Sequence, residues 1–404
     1  MPQVKPEILS WARVTAGLSL EEAAAKLDIN DARGERGADR LAALEAGAAE
    51  PSRPLLLRMV KHYRRPLLAF YLPEPPRPSE RGHDFRTLPP DHSVRDDALV
   101  GALLRDVKAR QEMVRALLET EDEALTLDFV GSMTPRDGAA PVMASIVERL
   151  GLDRGQFRNG VRGDRSALSG FAYLRERAED AGIFVLLVGN LGSHHTAIDV
   201  ELFRGFALAD PVAPFIAIND QDSERAWSFT LLHELAHIWV GATGVSGNNP
   251  SSPVEQFCND VAGQFLLPDA EVEREAGLGN SSTDAIMARI RDIADERQVS
   301  HSMVAYKLWR LNVISRDQWA QVSSAFRRFW LSNRDTAREE NKSTKGPSYY
   351  VVRRHRLGGR LIELSRRMMA DGALSPVKAA RILSVKPSNV YPLVGSSGSA
   401  GRAA

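Results

Sequence analysis

The sequence predicts a mainly helical α+β fold, and three observations predict it. Apolar residues recur at helical spacing along most of the 404-residue chain. Between residues 184 and 219 the pattern changes to short runs, FVLLV, ELFRGFALA and FIAIN, which read as strands. A helix precedes these runs and another follows them, an α+β order rather than the alternation of a parallel-sheet protein. At about 100–200 residues per domain the length exceeds one core. Shifts in composition divide the chain into an N-terminal helix–turn–helix bundle (1–75), a helical linker region (76–160), a central domain holding the strands (161–340) and a small basic helical C-terminal domain (341–404).

Composition narrows the functional classes. Lys+Arg and Asp+Glu both number 52, so no global field draws the molecule to nucleic acid, and any such contact must come from a local patch. The single Cys258 cannot form an internal disulfide, and the opening MPQVKPEILSWARV lacks the apolar core of a secretory signal. No apolar run approaches the roughly 18 residues that a membrane span needs. A cytoplasmic protein without a membrane partner is expected.

In chain order, Ile8, Leu9, Trp11, Ala12 and Val14 supply one face of a first helix, which Gly17 ends. Ser19 with Glu22 makes a capping box for SLEEAAAKL, so two short helices follow in the rhythm of a DNA-binding helix–turn–helix. After the loop DINDARGERGAD comes RLAALEAG, the candidate recognition helix, with Arg36 and Arg40 as its evident base or phosphate readers. A degenerate domain used for protein contact is the alternative. The proline cluster of LLAFYLPEPP marks a boundary, and residues 95–122 form a charged helix beyond it. AYLRERAEDAGI is a helix ending at Gly182, residues 285–332 return to helix, and KSTKGPS is a linker. The tail from Tyr349 is basic and has a second helix–turn–helix pattern, with GSSGSAGRAA expected to be disordered.

The chemistry concentrates in FTLLHELAHIWV. His233 and His237 stand four apart, so one helix face presents both imidazoles to a common point, where one ion can bind both. Glu234 lies about 100° further round, placed to act as base on a water rather than to ligate. Zinc takes a third protein ligand and keeps a fourth position open for hydrolysis. The next helix candidate, VEQFCNDVAGQFLLP, offers Glu255 as that ligand, with Asn259 and Asp260 one turn on to orient a histidine's free ring nitrogen. Cys258, between Glu255 and Asn259, points elsewhere and reads as a small buried hydrophobe, with metal ligation as the lesser alternative. The intervening GATGVSGNNPSSP reads as a flexible connection. His301, Tyr306 and Arg310 are candidates for stabilising an oxyanion, whereas His194 and His195, adjacent in GSHHTAID, read as a turn or surface pair.

FRGFALAD, FIAIND, FTLLHELAHIWV and VEQFCNDVAGQFLLP, with YRRPLLAFYLPEPP and HDFRTLP upstream, together resemble the ImmA/IrrE family of zinc metallopeptidases in the long version with an N-terminal Xre-type helix–turn–helix. The likeness covers most of the chain. It implies a gluzincin-like metallopeptidase fold in the central domain, with Zn2+ held by His233, His237 and Glu255, and Glu234 as general base. It also implies regulation: cleavage of a partner protein, a transcriptional repressor, to release genes of stress responses or mobile elements, with DNA a possible partner of the N-terminal domain. FIAIND would then be an edge strand able to bind an extended substrate by strand addition, the alternative being an ordinary core strand. The competing function is a DNA-binding transcription regulator whose metallopeptidase fold serves as a sensor without turnover.

Overall fold

The computed structural model describes residues 4–32, 34–76, 93–159, 169–193, 196–246, 253–340 and 347–395. His194, His195 and the segment HDFRTLP lie outside them, as does all but the first residue of GSSGSAGRAA. The chain is mainly helical with one small mixed sheet, an α+β fold. It divides into two compact units, residues 1–107 with 190–203, and residues 108–189 with 204–404.

The first unit begins with α1 (Pro6–Val14), α2 (Leu20–Lys26), α3 (Gly37–Glu45) and α4 (Arg53–Tyr63). Each start has a local cause. Pro6 opens α1 where its missing N–H costs nothing. Ser19 and Glu22 cap α2 reciprocally, and Ser52 accepts from Leu55 N–H at α4. Ile8, Leu9, Ala12, Ala24, Leu27, Leu41, Leu56, Met59, Tyr63 and Phe70 form its core. Each fully buried large apolar side chain contributes about 1.5–3 kcal/mol. A fifth helix, α5 (Val94–Thr120), gives its residues up to Val107 to this unit and the rest to the second.

The second unit continues with α6 (Ala139–Leu150), α7 (Arg154–Asn159) and α8 (Gly170–Asp180), which ends before Gly182 at φ 110°. The strands are β1 (Phe184–Leu187), β2 (Gly205–Leu208), β3 (Phe215–Ile218) and β4 (Gly244–Ser246), in the spatial order β1-β3-β2-β4. β1 pairs with β3 in parallel, and β2 is antiparallel to both β3 and β4. The expectation of an edge position for FIAIND is therefore corrected: β3 lies in the middle of the sheet. All four of its residues are buried, which is why its sequence is a continuous apolar run rather than an alternation. Part of GATGVSGNNPSSP likewise departs from a simple connection, since its Gly244–Ser246 add the outer strand beside β2.

Helix α9 (Glu224–Trp239) lies on β2 and β3, capped by Ser223, and is flanked by α6, α8 and α10 (Pro253–Leu266). It is buried on nearly every side, because a helix between a sheet and other helices has no solvent face. Trp239 anchors its end, stacked on Phe129 at 4.5 Å and donating its indole N–H to Ser145 Oγ at 3.0 Å. Beyond α11 (Asp269–Val272) come α12 (Thr283–Arg297), α13 (His301–Arg310) and α14 (Arg316–Glu340), then a helical group of α15 (Tyr349–Leu357), α16 (Gly359–Ala370), α17 (Pro376–Ile382) and α18 (Val390–Val394). Among the described residues no helix is long and apolar enough to cross a membrane.

Candidate metal centre

The one-turn spacing on α9 places His233 and His237 side by side, with their Nε2 atoms 3.2 Å apart. Helix α10 crosses α9 so that the Glu255 carboxylate straddles the pair, Oε2 at 3.2 Å from His233 Nε2 and Oε1 at 3.2 Å from His237 Nε2. Both histidines are buried, and Glu255 is nearly so. Burial pushes the Glu255 carboxyl up, but hydrogen bonding and charge from the two imidazoles outweigh it and hold it at about 2, so it is anionic.

Asn259, four residues after Glu255, sets the tautomer of His233. Its Oδ1 lies 2.9 Å from His233 Nδ1, and an amide oxygen only accepts, so Nδ1 carries the proton and Nε2 presents its lone pair. Asp260, one residue on, is turned away from the histidines and forms an ion pair with Arg310, Oδ2 to Nη2 at 2.6 Å. Of the two acidic-helix residues that sequence offers as orienting groups, only Asn259 touches a histidine; a further 100° of helix separates Asp260.

The donor set fits a divalent cation. A bare imidazole nitrogen, a second Nε2 and an ionised carboxylate converge within 3.2 Å, an arrangement of lone pairs that a metal relieves directly. His233, His237 and Glu255 are the residues that would hold it, as two nitrogens and an oxygen. Cys258 belongs to the same neighbourhood: its Sγ and one ring nitrogen from each histidine all lie within 4.8 Å of one another. It does not point away from the pair, as its place between Glu255 and Asn259 suggests, because residues three apart on a helix are face neighbours.

Glu234 is fully buried between α9 and the sheet. Gly205 of β2 makes this possible: a Cβ there would stand 2.8 Å from Glu234 Oε1 and 2.6 Å from Thr230 Cγ2. Sequence reasoning passed over Gly205, although a glycine inside a strand is the signal of a close approach.

Of the three oxyanion candidates, Tyr306 and Arg310 are neighbours, and His301 packs elsewhere. His301 stacks on Phe326 at 4.7 Å, and burial lowers its pKa. Arg310 is committed to Asp260. The Tyr306 hydroxyl is buried and stands beside Asn259 and Arg310; burial, then the charge of Asp260, raises its pKa. In the first unit, Arg36 is forked onto Asp39 with both contacts at 2.9 Å, and Arg40 donates to the Asn30 carbonyl at 2.6 Å.

Residues 180–308 match the family model of the IrrE N-terminal-like domain, Peptidase_M78. This supports the ImmA/IrrE family for the segment running from the end of α8 to α13, which contains the His233–His237–Glu255 cluster, Glu234 and Cys258. Comparisons with curated proteins and with solved structures gave no match. A metallopeptidase-like regulatory function for the IrrE-like domain follows at that level of description.

Proposed function

We propose that the chain is a regulatory zinc-dependent metalloendopeptidase of the HExxH type that cleaves a partner protein, a transcriptional repressor, to control genes of stress responses or mobile elements. The observation that carries this is the convergence of His233, His237 and Glu255 at 3.2 Å, with Glu234 on the same helix next to His233. When bound, the zinc ion supplies Lewis-acid polarisation of the scissile carbonyl and acidifies water. The chain's own groups do the rest. Asn259 fixes the His233 ring, and Glu255 supplies the negative charge that retains the ion. Glu234 Oε takes the proton from the attacking water and returns it to the leaving amine.

Glu234→Gln removes the base and leaves His233, His237 and Glu255 in place. The variant is expected to bind zinc as the wild type does and to lose about 10²–10⁴-fold in cleavage of the partner. Undiminished cleavage by this variant would end the peptidase proposal.

The N-terminal unit supports the fused regulatory part of the proposal through α2, opened by the Ser19–Glu22 capping box, and α3, which packs on it. We propose it as an Xre-type helix–turn–helix domain. Arg36 and Arg40 are exposed, and beside their surface contacts to Asp39 and the Asn30 carbonyl each keeps further N–H donors for a partner. The transcription-regulator alternative rests on this helix pair, on Arg36 and Arg40, and on the basic C-terminal tail.

A further inference from the structure

Cys258 is the one cysteine of the chain, and it is fully buried on α10, one turn after Glu255. It packs in the apolar core of the second unit, and its Sγ also lies within 4.8 Å of a ring nitrogen of both His233 and His237. Two imidazoles and a thiol on facing helices are the donors of a Cys/His zinc site, and a thiolate biases a site toward zinc over magnesium or manganese. Glu255 and Cys258 are three residues apart, so α10 offers both an oxygen and a sulfur toward α9 from one face.

We propose that Cys258 is a fourth protein ligand of the metal, so that the resting chain holds the ion in a closed His233–His237–Glu255–Cys258 set. This rests on the metal-site proposal above and adds a regulatory state to it. Zinc closed by four protein ligands is structural, whereas hydrolysis needs one position open. Departure of Cys258 from the ion is then what opens that position and turns a latent centre into a hydrolytic one. No oxidant or reductant is involved. The consequence suits a regulatory peptidase, which must stay idle until signalled.

The test uses the full chain loaded with Co2+ in place of zinc, because cobalt–thiolate bonds absorb by charge transfer in the near ultraviolet. With a single cysteine in the sequence, such a band can come only from Cys258. The expected result is one cobalt per chain together with the band. Cys258→Ala is expected to take up cobalt without the band, and more weakly by at least the roughly 10–100-fold that loss of a supporting group costs a metal site. One cobalt per wild-type chain with no band overturns the proposal and leaves the His233–His237–Glu255 site standing. Failure of the wild type to bind cobalt overturns both. The wild-type spectrum decides even if Cys258→Ala does not fold.

Discussion

At the scale of single residues, two groups do work that the HELAH motif alone does not reveal. Asn259 holds His233 in the tautomer that presents Nε2. Asn259→Ala should lower zinc affinity by about 10–100-fold while the chain remains folded, as titration against a chelator would measure. Unchanged affinity would mean that the 2.9 Å contact plays no part in orienting the ring. Gly205 gives Glu234 its space. Gly205→Ala puts a methyl against Glu234 Oε1 and Thr230, so overpacking should cost about 1–3 kcal/mol in denaturant unfolding and displace the base, with cleavage falling more than zinc uptake. A variant as stable and as active as the wild type would show that the strand and helix separate without cost. The histidine pair was legible in sequence because a four-residue spacing on a helix fixes a common direction. Gly205 was not, because it meets its partner only through strand–helix packing, and the nearness of Cys258 to the pair, which depends on where α10 crosses α9, was readable only as the lesser alternative.

Among elements, helices were easier to foresee than the arrangement of strands. Local periodicity and caps such as Ser19, Ser223 and Ser282 define helices within a few residues. The order β1-β3-β2-β4 depends on pairings between distant segments, so FIAIND could be recognised as a strand but not as the second in the sheet. Another long-range feature is the joint between α8 and the α15–α16 turn. Arg175, buried, donates to the carbonyls of His355 and Val185, both at 2.5 Å, and pairs with Glu179 at 3.1 Å. Glu179 in turn accepts from Gly359 N–H at 2.9 Å, at the start of α16. Gly358 at φ 82° lets the chain pass, since a Cβ there would stand 2.1 Å from Glu179 Oε1. Arg175→Met breaks this ion pair and takes a donor from two carbonyls, while Glu179 keeps the Gly359 N–H. It should cost about 3–5 kcal/mol, read as a lower denaturation midpoint of the second unit. A midpoint unmoved by the substitution would mean that the joint contributes no net stability.

For the whole molecule, equal numbers of acidic and basic side chains leave function to local sites rather than to a global field. The IrrE-like segment from 180 to 308 contains the sheet from β1 to β4, the metal helix α9 and the ligand helix α10, so one continuous stretch supplies the whole candidate centre. Its neighbours in the chain, a helix pair at the N-terminus and a helical group at the C-terminus, are what set regulation apart from digestion in the proposed role. The central claim is the metal centre itself, and elemental analysis of the purified chain tests it most directly. One zinc per wild-type chain, lost in His237→Ala and in Glu255→Ala while both variants stay folded, is the predicted result. Wild type free of zinc after exposure to it, or zinc that both variants retain in full, would contradict the account.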